Sequence, residues 1–380
     1  MRIRRMLALS AVSAVALVVV PVTTAHAASV GCGDTITANV TLTTDLRCTG
    51  TAFTLGVGGL TIDLGGHTLS GSGVGFGVHG GPYSVTVKNG TIRNFQVGID
   101  PGGYGPVPPA RVPSYVSDVT IRETDYGVGG YLGGGTNRVE IARSTFHGVR
   151  TAAVSVHSAQ VTGSTFIENR WGIYAMAGQS VSSSVFTRND QAIVCGNSGV
   201  DIANSTFVDN RESVRAGVCS VAIRDSKFRG GAVAVTAGGV SGFGLDVRRN
   251  TFSGGGIGLL VTGLNPSTSA SHTIADNVFR DNAASGLVVE RAASALPSGG
   301  LVTVARNTFE ANGKAPSGYV DPAGHPLSSG VWVNGGTLAA NAAVRNAGHG
   351  IEAYNAVDGG GNTAKANRTE PQCIGVVCTR

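Results

Sequence analysis

The sequence predicts an all-β fold, a single-stranded right-handed parallel β-helix of about 13 coils closed by N- and C-terminal caps. Three observations predict it. Eight of the twelve Phe stand at 146, 166, 186, 207, 228, 252, 279 and 309, so an aromatic anchor returns every 20 to 30 residues. Five positions before these anchors stand Ile141, Val161, Val181, Ile202, Ile223, Val247, Ile274 and Val304, often with another apolar residue two earlier, which is the alternation of a short strand ahead of a turn. Gly supplies 58 of the 380 residues, about twice its ordinary share, while charged residues make up only 13%. A unit of this size with two or three short strands cannot bury its own apolar side, whereas stacking units in parallel register buries one continuous column. The same composition argues against helix bundles and coiled coils, and 42% hydrophobic residues without a Gly-X-Y period argue against disorder and collagen.

Taken in chain order, Arg2, Arg4 and Arg5 precede an apolar run from Met6 to Val20 and a small-x-small site at Ala25-His26-Ala27, so residues 1–27 read as a secretory signal peptide. Without those three Arg, 25 basic residues face 23 acidic ones, too even a balance for a nucleic-acid partner. No second apolar span follows, so the mature chain is expected to be secreted, extracellular and without a membrane span. Residues 28–60, with alternating Ile36, Ala38, Val40 and Leu42, suit an N-terminal cap; residues 61–367 carry the helix, and residues 368–380 a C-terminal disulfide cap. The six cysteines fall as three close pairs, Cys32 with Cys48, Cys195 with Cys219 and Cys373 with Cys378. In an oxidising compartment these read as three disulfides, the middle one stapling successive coils. His residues are scattered and no C-x-x-C occurs, so neither a metal nor another cofactor is expected.

Inside the helix the frame extends to Leu69, Ile92 and Tyr126 at the Phe position before Phe146, and to Val344 and Ala364 after Phe309. Gly is expected at corners that need positive φ. Asn169, Asn189 and Asn210, then Asn282 and Asn312, each three residues past an anchor, are expected to stack as hydrogen-bonded ladders.

The Ser164-Thr165-Phe166 unit with Asn169, the Ser205-Thr206-Phe207 unit with Asn210, and the segment Ile62-Asp63-Leu64-Gly65-Gly66-His67-Thr68-Leu69 carry a family resemblance. In them the chain resembles the secreted right-handed β-helix repeat proteins, the superfamily of pectate lyases, polygalacturonases, alginate epimerases and the periplasmic maturation proteins of nitrous-oxide reductase. For an enzyme, the resemblance implies a polysaccharide lyase, a glycoside hydrolase or an epimerase. It names no catalytic residue. Polygalacturonases combine clustered Asp with Gly-His-Gly and Arg-x-Lys, but here Gly348-His349-Gly350 and Asp190 belong to coils about 29 Å apart, with neither an Asp-Asp pair nor Arg-x-Lys beside them.

Insertions into a solenoid collect on a binding face, and four stand out: 101–114 with Tyr104, 263–272, 291–300 and 314–329. The last three fall in consecutive coils and could wall a groove. If Leu287, Val331 and Ile351 point inward, Trp332 points out between Glu290 and Glu352, with Asn334 and Tyr354 in the next outward row. An outward ring among carboxylates and amides is the chemistry of a sugar platform. The two Glu come out about 11 to 12 Å apart, wider than the roughly 6.5 to 9.5 Å of inverting glycosidases. On the competing reading the 314–329 insertion covers Trp332 and the surface is plain, which base rates for exposed apolar residues favour. The expected function is therefore a secreted β-helix protein that binds or acts on an extracellular polysaccharide. The alternative is a non-catalytic scaffold for adhesion or protein contact.

Overall fold

The structure, a computed structural model, describes residues 30–102, 112–130, 138–238, 244–264, 272–291, 302–315, 318–321 and 324–380. The expected signal peptide lies outside these residues, as do Tyr104 and most of the insertions at 101–114, 263–272 and 291–300. The described residues form a parallel β-solenoid of about 14 turns with no helix. Each turn contributes strands to three faces. In one middle turn the first face is Ser158–Thr162, the second Thr165–Ile167 and the third Trp171–Ala175.

The second face carries the anchors. Phe146, Phe166, Phe186, Phe207, Phe228, Phe252, Phe279 and Phe309 stack ring on ring with centroids 4.6 to 5.1 Å apart and are fully buried. Two expected anchors shift. Ile121, not Tyr126, continues the column between Ile92 and Phe146, because the strand Ser114–Arg122 runs straight through the corner between the first two faces. Ala343, not Val344, lies over Phe309. The segments expected as caps extend the same pairing: Asp34–Ile36 is parallel to Phe53–Leu55, and Cys373–Ile374 pairs with Ile351 and Glu352.

Two hydrogen-bond ladders run along the corners. Between the second and third faces, Asn169 donates its backbone N–H and its side-chain amide to Asn189 Oδ1, both at 2.9 Å, and Asn189 does the same to Asn210. Asn282, Asn312, Asn346 and Asn367 repeat the scheme. Between the first and second faces, Ser164 N–H donates to Ser184 Oγ, and the serines give way at Asn250 to an Asn column through Asn277, Asn307, Asn341 and Asn362. Each rung meets the hydrogen-bonding demand of buried backbone where regular strand pairing stops.

The glycines answer two needs, only one of them foreseen. Many corner residues with positive φ are not Gly but charged: Arg143, Glu168, Arg188, Asp225, Arg249, Asp276 and Arg306 all sit between 47° and 58°. Their side chains pair between neighbouring turns, as in the two-pronged contact of Arg143 with Asp118 at 2.8 and 2.7 Å and of Arg306 with Asp276 at 2.7 and 2.8 Å. A run of Gly on the third face serves close packing instead. A Cβ on Gly172 would lie 2.3 Å from the Ala192 carbonyl oxygen, and one on Gly258 2.6 Å from that of Gly286. The three cysteine pairs are bonded, with Cα separations of 5.5, 6.4 and 6.2 Å.

Candidate functional site

The third face is where side chains of interest gather. Its inward column runs Ile173, Ile193, Val214, Val235, Leu259, Leu287, Val331, Ile351. Two outward rows follow. In one, Tyr126, Ala152, Trp171, Gln191, Glu212, Val233 and Ile257 stand in successive turns; the other contains Ser155, Tyr174, Val194, Arg215, Thr236, Leu260, Val288, Trp332 and Glu352. The alignment of Leu287, Val331 and Ile351 as inward residues is the one expected, and Trp332 does leave the coil between Val288 and Glu352.

It does not form an open platform. Trp332 is only 4% exposed and packs with Val233, Ile257, Ala284 and Val288 beneath Leu327, with Leu260 and Tyr319 at the margin. The physical reason lies in the 314–329 insertion: Val320 and Pro326 form an antiparallel bridge, so the described residues 318–321 and 324–327 make a strap that lays Tyr319 and Leu327 over the patch. Of the other expected contacts, Tyr354 is 40% exposed, its ring 6.0 Å from that of Trp332, while Glu290, Asn334 and Glu352 are half-buried. Glu352 accepts a hydrogen bond from Ser329 Oγ at 2.7 Å and lies 3.7 Å from His349 Nε2, whose Nδ1 is 2.6 Å from the Pro371 carbonyl oxygen. Burial pushes the Glu290 carboxyl above its ordinary value. Ionised Glu290 therefore opposes folding at neutral pH, a cost that vanishes once pH falls below the unfolded-state value. Glu290→Gln is expected to raise the melting temperature at pH 7 and to match the wild type near pH 3.5, which paired thermal melts will check.

The open aromatic surface lies elsewhere on the same rows. Trp171 and Tyr174 stack with centroids 5.4 Å apart and planes 27° apart, the Arg170 guanidinium stands 5.6 Å above the indole, and both rings are half-buried. Trp171 belongs to neither hydrophobic cluster of the described residues. Tyr126 precedes it by two turns in the same row. Gln191 and Glu212 follow it, with Gln191 Nε2 donating to Glu212 Oε2 at 2.8 Å and Arg215 3.9 Å from the same carboxylate. Around the corner, the first face holds a shallow groove of about 420 Å³ lined by Arg138, Ser158, Gln160, Ser180, Asp201 and Ser220. Its charges are already engaged, Arg138 with Gln160 and Glu140, Asp201 with Arg224, so we take the aromatic strip rather than this groove as the candidate site.

Strict alternation hides Trp171. It stands two residues before inward Ile173, which would turn it inward too, but Gly172 between them falls out of the paired register and breaks the period.

Among the described residues no group of three or more His, Cys, Asp and Glu could hold a metal ion, and no helix is long and apolar enough to cross a membrane. The three disulfides are compatible with an extracellular location. No curated protein matches the chain significantly. Among solved structures, it is similar to the family 28 exopolygalacturonase of Yersinia enterocolitica, at 13% identity over 90% of this chain and 72% of that one, with a TM-score of 0.36. It is also similar to the A-module of a mannuronan C-5 epimerase from Azotobacter vinelandii, at 15% identity over 90% of this chain and 91% of that one, with the same TM-score. Residues 191–377 match the family described as the right handed beta helix region. With the stacked anchors, parallel register and corner ladders already described, the chain folds as a right-handed parallel β-helix, and residues 191–377 carry that family's pattern.

Proposed function

We propose that the protein is secreted and binds an extracellular polysaccharide along the outward rows of its third face, with Trp171 and Tyr174 as the stacking platform. The observation that carries this reading is the half-buried Trp171–Tyr174 pair, standing outside both hydrophobic clusters on a rigid sheet with Gln191, Glu212 and Arg215 within the next two turns. An aromatic face packs against the C–H face of a sugar ring, and amide, carboxylate and guanidinium groups take the hydroxyls around its rim. Successive turns repeat at about 4.8 Å, so a chain lying along the helix axis meets side chains at regular intervals. Gln191 and Glu212 are buried and hydrogen-bonded to each other beside the platform, so the exposed Arg215 guanidinium at their edge is the charged group open to a sugar hydroxyl.

A panel of soluble polysaccharides screened by calorimetry and affinity electrophoresis tests the reading. Trp171→Ala is expected to weaken binding by about 1 to 3 kcal/mol, or roughly 5- to 150-fold, the range for losing a central aromatic contact. Its melting temperature should stay close to that of the wild type, because the indole lies outside both clusters. Affinity unmoved by Trp171→Ala, or a panel with no binder, overturns the proposal.

A further inference from the structure

The patch beneath the strap is built differently from the core. Val233, Ile257, Leu260, Val288 and Trp332 all point out of the solenoid, in the same two rows that carry Trp171 and Tyr174 a few turns earlier. Three backbone hydrogen bonds tie the described strap residues 318–321 and 324–327 to one another: Asp321 N–H to the His325 carbonyl at 2.8 Å, Gly324 N–H to that of Asp321 at 2.9 Å, and Leu327 N–H to that of Tyr319 at 3.1 Å. The strap's hydrophobic packing on the patch comes from Tyr319 and Leu327. Within the covered patch Trp332 Nε1 is buried with no hydrogen-bond partner among the described residues. An N–H shut away from water without an acceptor is costly, so the closed arrangement is poorer than a packed core. A ligand that offers apolar ring faces and hydroxyls together would suit the patch better than Leu327 does.

We infer that the patch around Trp332 is a second, strap-covered length of the polysaccharide-binding strip, and that a glycan chain occupies it by displacing Tyr319 and Leu327. The inference rests on the proposed binding function, and extends it by making the site longer than its open part and closed at one end in the free protein. The apparent affinity then carries the fraction of molecules whose strap is open. Loosening the strap should tighten binding, the reverse of what damage to a binding protein ordinarily does.

The test uses the full chain and the glycan bound best in the panel. Leu327→Ser, which weakens the cover without touching the outward rows, is expected to raise affinity at least fivefold. In a Trp171→Phe background Trp332 is the remaining Trp of two. There, Leu327→Ser should shift its emission to the red and increase iodide quenching, and saturating glycan should restore protection. If Leu327→Ser fails to fold, the Trp171→Phe protein alone decides, since glycan must change the emission or quenching of Trp332. Glycan binding that depends on Trp171 but leaves Trp332 silent and is indifferent to Leu327→Ser overturns the strap inference alone. A panel in which neither the wild type nor Leu327→Ser binds any glycan overturns both readings.

Discussion

Phe207→Ala is expected to lower stability by about 3 to 5 kcal/mol, the range for truncating a buried Phe. Phe207 is fully buried between Phe186 at 4.9 Å and Phe228 at 4.6 Å, with planes within 6° of both. Those neighbours cannot close the gap. Each ring hangs from a strand whose register is fixed above and below, Phe186 against Phe207 and Phe207 against Phe228, so collapse would require the turns themselves to approach. The cavity therefore stays open, and the energetic loss includes both transfer and empty volume. Urea unfolding followed by far-ultraviolet circular dichroism measures it. A loss below 1 kcal/mol would mean that the column does not govern stability.

Asn189→Ala should be about as damaging although it removes far less apolar surface. Asn189 Oδ1 receives the backbone and side-chain N–H groups of Asn169, and its amide donates to the Phe166 carbonyl at 3.0 Å and to Asn210 Oδ1 at 2.9 Å. All three Asn are buried. Truncation strands two donors of Asn169 and one carbonyl, and at roughly 1 to 3 kcal/mol for each buried group left unmet the loss is of order 4 kcal/mol. Asn189→Ser should recover part of it, because Ser184 Oγ fills the equivalent acceptor role at the preceding corner, taking the Ser164 N–H at 3.2 Å. The same urea titration compares the two variants. Equal losses for Ala and Ser would show that the ladder acts through shape rather than through its bonds.

Much of this architecture is written in short-range spacing. The Phe column, the Asn rungs and the cysteine pairs recur at one coil's distance, and a coil's distance along the chain is also one step in space. The anchors misassigned are those where the spacing has two candidates or where the true anchor is small. Ile121 and Tyr126 compete in the coil after the 101–114 insertion, and Ala343 is an unassuming neighbour of Val344. The site was less legible because it depends on what returns from outside the coil. The outward direction of Trp332 follows from two-residue alternation around Val331. Its burial follows from Tyr319 and Leu327, whose approach to Ile257 and Val288 no local periodicity encodes. Trp171 was masked by the opposite effect, a local break in alternation at Gly172.

A ladder whose every rung hands the same pair of bonds to the next resembles a polymer growing inside one chain, and it has no length of its own. Gln372 terminates the run that begins at Asn282. It accepts both bonds from Asn367 through Oε1 at 2.9 Å, as another Asn would, but its longer side chain turns its own amide back to the Asn367 carbonyl at 3.1 Å and to Glu370 at 2.9 Å. Nothing in that arrangement counts the rungs beneath it. Duplicating or excising one whole coil between Phe279 and Ala343 should lengthen or shorten the rod by a single step and leave both ends chemically unaware of the change.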